Sequence, residues 1–138
     1  MDKTKIYSPN QVAAGSFLGA PGAAVYLLWK NFKSLGNSSA SKRTLAWGSV
    51  LIVLLLAALP FIPSNFPNYA IPIAYTIIAR LLAERLQMSK QAIADSEQYQ
   101  FQSNWNVFGV AIGFLAAFAV VAFVFIFVLI QLGIYNPD

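Results

Sequence analysis

One apolar run constrains the fold of this chain more than any other feature. Between positions 107 and 132 the only strongly polar residue is Gln131, and about 18 or more apolar residues in succession are typical of a transmembrane helix. As an α-helix this run would measure ~39 Å, longer than the ~30 Å hydrocarbon core of a bilayer, so we expect it to tilt or protrude. Trp105 and Tyr135 flank it, where aromatic anchors at membrane surfaces are common. The sequence therefore predicts a membrane-spanning helix over about 106–132.

The composition of the chain excludes most kinds of catalytic site. Hydrophobic residues make up 58% of the chain and charged residues only 10%, against about 25% charged in soluble globular domains. There is no cysteine and no histidine, which removes disulfides, thiolate nucleophiles and the commonest metal ligand and general base. No two acidic residues are placed to act together as a pair of catalytic carboxylates. The sequence also contains no glycine-rich loop of the kind that binds phosphate. We therefore expect a protein that is not an enzyme and has no catalytic residue, metal site or cofactor.

Two further segments are predicted to cross the membrane. The first covers about 45–62 and is ended by Pro60 and Pro63, which cannot continue a regular helix. The second covers about 66–83, and it can cross only if the Arg80 side chain extends to the membrane surface. Three proline residues between positions 63 and 72 predict a turn at the membrane surface between these two segments.

The apolar segment nearest the N-terminus, about 12–29, is long enough to cross a membrane but is interrupted. Gly15, Gly19, Pro21 and Gly22 all fall inside it, and such residues bend or break helices. Two structures fit this pattern: a kinked span, or a re-entrant pair of half-helices that meet at Pro21-Gly22. Segment length favours the kinked span, and both alternatives stay open.

The nine basic residues favour a role in membrane topology over binding to nucleic acid, because they are scattered among apolar runs. The loop 30–44 carries four basic residues and no acidic one, which predicts that it is cytoplasmic. Four spans would place seven of the nine basic residues in the cytoplasm, whereas a re-entrant first segment would place all nine there. The distribution of charge thus slightly favours the re-entrant alternative.

One opposite-charge pair lies close to apolar membrane sequence. Arg80 and Glu84 begin a polar stripe along an amphipathic segment predicted over about 80–100. The favoured interpretation is a helix on the cytoplasmic membrane surface, in which this pair contributes a few tenths of a kcal/mol. The alternative makes Arg80 and Glu84 an ion pair that lines a polar cavity within the membrane.

Small residues recur at helical spacing in the first and last apolar segments. Small side chains allow two helix backbones to approach closely, so these positions are candidate helix-packing faces. Packing inside the bundle is the favoured interpretation, and contact between two copies of the chain is the alternative. The candidate positions are Gly15, Gly19 and Gly22 in the first segment, and Gly109, Gly113 and Ala116 in the last.

Several short motifs resemble a pattern found in small bacterial integral membrane proteins. They are Tyr7-Ser8-Pro9-x-Gln11, Phe17-Leu18-Gly19-x-Pro21, Asn31-Phe32, Leu35-Gly36 and Ser103-Asn104-Trp105. The resemblance covers roughly residues 7 to 115. It implies a location in the bacterial inner membrane and implies no activity.

Together these features predict an all-α, polytopic membrane helix bundle in a single domain, 1–138, with three to four transmembrane helices and a broken or re-entrant first one. The predicted function is non-enzymatic and depends on helix contacts in the inner membrane, as in an accessory subunit or a toxin-immunity protein. The expected partners are the lipid bilayer and a protein or second copy within it. The alternative is a channel or transporter subunit with a polar path near Arg80, Glu84 and the Pro21-Gly22 break.

Overall fold

The computed structural model describes residues 2–137, and it is 74% helical with five helices. Three helices are long and apolar enough to cross a membrane: α1, α2 with the turn that follows it, and α5. In chain order the elements are β1 Thr4–Ile6, α1 Pro9–Ser34, α2 Ser38–Ala58, a 3₁₀ turn Leu59–Phe61, α3 Ala70–Leu86, α4 Lys90–Asp95, β2 Tyr99–Phe101 and α5 Asn104–Gln131.

Helix α1 is a hairpin of two half-helices. Its first half begins at a capping box, in which Ser8 and Gln11 each satisfy a backbone N–H of the other. At Ala20 the backbone has φ 65° and ψ −179°, a conformation that residues other than glycine rarely adopt, and Pro21 follows without an N–H. Helical geometry is therefore interrupted there, and the chain reverses direction before the second half begins.

Contacts between the ends of α1 demonstrate the reversal. The Tyr7 amide donates to Asn31 Oδ1 at 2.8 Å, although a continuous helix would separate residues 24 positions apart by ~36 Å. An added Cβ at Gly15 would lie 2.5 Å from Leu27 Cδ1, so the two halves also pack side by side. Helix α1 qualifies as a membrane span by length and composition, but these contacts mean that each half extends only ~16–21 Å. Of the two structures that the sequence left open, the chain adopts the folded-back one.

The α1 hairpin lies at the centre of the molecule. Helices α2, α3 and α5 each pack on α1, and make few contacts with one another. Helix α2 begins directly after the hairpin, where the Asn37 side chain caps its first turn. Further along α2, Gly48 faces Val25 and allows the helix to approach α1 closely. Most of the buried core is accordingly contributed by α1, with α3 and α5 adding a few small residues: the main cluster is Tyr7, Val12, Ala24, Leu27, Leu28, Ala79, Ala83 and Val107.

The segment 80–100 does not form the single amphipathic helix that its pattern predicts. Helix α3 ends at Leu86 because Gln87 leaves helical geometry, with φ −116° and ψ −112°. Ser89 then caps the short helix α4, and the chain continues into β2. Strand β2 pairs in parallel with β1, with Ile6 opposite Phe101, and this two-stranded sheet was not predicted.

The charged residues of the described chain all fall at one end of the bundle, which we call the basic end: residues 2–11, 30–44 and 80–104. Both ends of the α1 hairpin, the end of α3 and the start of α5 meet there. All nine basic residues belong to these segments. Residues 46–79 and 105–137, which run to the opposite end, contain no charged residue.

Candidate functional site

A buried polar cluster at the basic end closes the α1 hairpin. Asn31, only 1% exposed, accepts a hydrogen bond from the Tyr7 amide and donates to the Tyr7 carbonyl at 2.9 Å. Its amide also donates to Gln87 Oε1 at 2.8 Å, and the Gln87 amide donates to the Leu28 carbonyl at 2.9 Å. One side chain thus joins both ends of α1 to the end of α3. We call Tyr7, Asn31 and Gln87 the hairpin junction.

Helix α5 is attached to the same end of the hairpin. The Tyr7 hydroxyl donates to Asn106 Oδ1 at 2.5 Å. Burial, with a smaller contribution from the nearby Tyr26, raises the pKa of Tyr7 to about 12, so this hydroxyl stays neutral and remains a donor at physiological pH. The Gln11 amide donates to the Gln102 carbonyl at 2.6 Å and to Asn104 Oδ1 at 2.9 Å. These contacts hold the start of α5 against the first turn of α1.

The sequence does not predict the hairpin junction, although the positions of its residues carry a weak signal. Asn31 and Gln87 each lie just after an apolar segment. Polar residues that only face solvent are also common at such positions, so the sequence alone does not distinguish a buried role from a surface one. Their role appears only when the fold brings together three positions separated by 24 and 56 residues.

Arg80 and Glu84 form the expected ion pair, at the surface of the basic end. Arg80 Nη1 lies 3.0 Å from Glu84 Oε2, and the two side chains are 43% and 44% exposed. Arg80 Nε also donates to Asn10 Oδ1 at 3.2 Å, which places the pair beside the first turn of α1. Exposed pairs of this kind contribute between about 0 and 1 kcal/mol. Because the pair lies beside the first turn of α1 and Pro21 lies at the tip of the hairpin, the structure does not bring Arg80 and Glu84 together with the Pro21 break.

An apolar cleft of about 530 Å³ lies beyond the tip of the hairpin, where α2, α3 and α5 continue without α1 between them. We call it the tip cleft. Ala20 and Pro21 form part of its wall, and the proline-rich loop between α2 and α3 forms another part. Its lining contains no charged residue and only a few polar ones: Ser64, Asn68 and Tyr75. It is suited to apolar groups and gives no charged path.

A second, smaller groove lies between the second half of α1, α2 and α5, with a volume of about 220 Å³. We call it the side groove. Its wall is aromatic: the Tyr26 ring lies 5.3 Å from Phe114 and 5.7 Å from Trp29, measured between ring centres. Lys33 Nζ lies 4.8 Å from the centre of the Trp29 ring. The lining residues are Gly22, Val25, Tyr26, Trp29, Leu45, Ile52 and Phe114.

The glycines of α1 lie at close contacts inside the molecule. An added Cβ at Gly19 would lie 2.7 Å from the Ala111 Cα and 2.9 Å from its carbonyl oxygen. At Gly22 it would lie 2.9 Å from Phe114 Cδ1. Gly15, Gly19 and Gly22 thus permit the close packing of α1 on itself and on α5.

The small residues of α5 have a different environment. Around Gly109 and Gly113, apart from the adjoining residues and backbone of α5 itself, no atom of the described residues comes within 4 Å of an added Cβ, and Ala116 is exposed. At about 100° per residue these three positions point away from Ala111, which faces α1. Gly109, Gly113 and Ala116 therefore form an open small-residue face, and packing within the chain does not use it.

Comparison with known proteins finds no matching family model, no matching curated protein and no matching solved structure.

Proposed function

We propose that this chain is an integral protein of the bacterial inner membrane that acts without catalysis, through helix contacts with a partner. Its membrane placement is supported by α2 and α5, whose most apolar windows have mean hydropathies of 2.2 and 3.0. Only 6% and 0% of those windows are buried by the chain itself. Apolar surface of this extent is unfavourable in water and favourable in lipid.

The basic end lies in the cytoplasm in this proposal, because basic residues concentrate on the cytoplasmic side of membrane proteins. The α1 hairpin then enters and leaves the membrane from the cytoplasm. Helix α2 crosses outward. Helix α3 is not among the three helices that are long and apolar enough to cross alone, so in this proposal its 17 residues return to the basic end together with the proline-rich loop before it. Helix α5 crosses outward again, and the C-terminus lies outside.

Reporter fusions test this topology. A fusion at Met1 and a fusion after Ser38 should both report a cytoplasmic location, and a fusion after Asp138 should report an external one. The Met1 fusion is the decisive one, because a first segment that spanned the membrane would place it outside. A cytoplasmic C-terminus would contradict the proposed path of α5.

The open face of α5 is the observation that carries the proposed mode of action. Small-residue faces allow helices to associate in lipid, where apolar burial gives no driving force. In α1 such residues are occupied by contacts inside the chain, whereas an added Cβ at Gly109 or Gly113 meets open space and Ala116 is exposed. We infer that a helix of another protein, or of a second copy, packs on this face, as expected of an accessory subunit or an immunity protein.

Gly113→Leu should remove this contact without harming the fold. We expect the variant to lose its partner on purification from native membranes in mild detergent, because the side chain holds the two backbones apart. Its unfolding temperature should stay unchanged, since an added side chain meets open space in the chain itself. Ala119→Leu is the control, because Ala119 is exposed on the same helix and lies ~120° around that helix from Gly113. Partner retention equal in both variants would contradict the assignment.

The channel or transporter alternative receives less support. It combines Arg80 and Glu84 with the Pro21-Gly22 break, but the pair is on the surface of the basic end and Pro21 lines the tip cleft. Ion flux through the protein reconstituted alone in liposomes, abolished by Glu84→Gln, would favour this alternative over the interaction protein.

A further inference from the structure

The side groove opens towards two lysines of the basic end. Lys33 lies one turn beyond Trp29 on the second half of α1, in contact with the ring of that groove residue. Lys42 lies three residues before Leu45 on α2, and therefore on the same side of its helix. The second half of α1 runs towards the basic end and α2 runs away from it. Both lysines thus stand on the basic side of the groove.

No acidic side chain among residues 2–137 neutralises these lysine charges. Among residues 2–137 the only ion pair joins Arg80 to Glu84, and the segment 30–44 contains four basic residues and no acidic one. A solvated surface would tolerate this excess. Beside an apolar groove in a membrane, the same arrangement presents positive charge at the depth of the lipid headgroups.

We propose that the side groove binds one anionic phospholipid of the cytoplasmic leaflet. An acyl chain lies against Trp29, Leu45 and Phe114, and the phosphate lies between Lys33 and Lys42. The groove and the lipid are complementary in charge: the apolar wall receives the acyl chain, and the two ammonium groups, which form no ion pair among residues 2–137, receive the anion. The inference depends on the proposed membrane placement and extends it by naming a specific lipid.

Quenching of Trp29 fluorescence tests the site. The chain has three tryptophans, and Trp47 and Trp105 are 68% and 82% exposed, so both can be replaced by phenylalanine to leave Trp29 alone. This variant is titrated in mixed micelles with phosphatidylglycerol or phosphatidylcholine, each with brominated acyl chains. We expect phosphatidylglycerol to half-quench Trp29 at a roughly 30-fold lower mole fraction, because two lysine contacts are added.

Two charge-matched variants make the test specific. K33Q/K42Q should abolish the preference for phosphatidylglycerol, whereas K5Q/K90Q should keep it, because those two lysines are exposed elsewhere at the basic end. Equal quenching by the two lipids before any lysine is changed would overturn the lipid site and leave the membrane placement intact. Equal loss of preference in both double variants would overturn it in favour of a general charge effect. Relief of the quenching by millimolar inorganic phosphate would overturn it in favour of a free-phosphate site. Quenching by neither lipid would overturn the membrane placement itself.

Discussion

Gly19→Ala should lower the free energy of unfolding by about 2–3 kcal/mol, although it adds a single methyl group. That methyl would lie 2.7 Å from the Ala111 Cα and 2.9 Å from its carbonyl oxygen. Both atoms belong to the backbone of α5 and cannot rotate away. The methyl would also lie 2.5 Å from the Ala23 Cβ, so α1 must move away from α5 and change shape at its own turn. The contact that joins the hairpin to α5 is therefore predicted to be intolerant of any side chain at this position.

Gly113→Ala is the matched control, because it makes the same chemical change on α5 at a position with open space around it. Removal of a helical glycine favours the helix by up to about 1 kcal/mol. This variant should therefore be unchanged or slightly more stable. Thermal unfolding of both proteins in the same detergent measures the difference, and equal destabilisation would mean that the close face of α5 has been assigned incorrectly.

Asn31→Leu should cost about 3 kcal/mol, because it removes the side chain at the centre of the hairpin junction. The amide and the carbonyl of Tyr7 both lose their partner, and each buried unpaired group costs about 1–3 kcal/mol. Tyr7 is 3% exposed, so water cannot replace the lost bonds without opening the structure. The ends of α1 should then separate, with unfolding at lower temperature and faster hydrogen exchange at the Tyr7 amide.

Asn10→Leu provides the comparison on the same helix. Asn10 is exposed and accepts one hydrogen bond from Arg80, so its replacement should cost less than about 1 kcal/mol. If both leucine variants unfold at the same temperature, the junction does not hold the hairpin closed.

The long apolar helices were predictable because their signal is local. The run predicted over 106–132 forms α5 over Asn104–Gln131, and all but the last residue of the segment 45–62 falls within α2 and the turn after it. The proline residues after position 59 end that helix, as their missing N–H groups require. In both cases hydropathy over a window of residues carries enough information.

The path of α1 was not decided by the same reasoning, because a kinked span and a hairpin have identical length and composition. Pro21 and the neighbouring glycines mark where the helix breaks, but not the direction that the chain takes afterwards. The direction depends on Asn31 meeting Tyr7 and Gln87, which are distant in sequence. Charge distribution slightly favoured the re-entrant alternative, but it did so through the sides of the membrane on which the segments lie, and that placement stays a prediction.

The two short strands also escaped prediction. Thr4–Ile6 and Tyr99–Phe101 have three residues each, too few to show the alternation of a strand. Their pairing depends on the hairpin, which brings the N-terminus of the chain to the basic end beside the start of α5. The sheet is thus a consequence of the tertiary structure.

The closing contacts of the N-terminal segment have a consequence for how the protein is made. The Lys3 ammonium donates a hydrogen bond to the carbonyl of Ser96, a residue 93 positions later. The Tyr7 hydroxyl donates one to Asn106 Oδ1. At about 5–20 residues per second, a ribosome needs ~5–20 s to supply these partners after the N-terminal segment has been synthesised. During that interval the α1 hairpin lacks α3, β2 and α5, so the contacts of residues 3–7 are completed long after these residues have been synthesised. Nascent chains stalled before residue 87 should therefore leave Ile6 and Tyr7, which are buried in the finished protein, accessible to proteases.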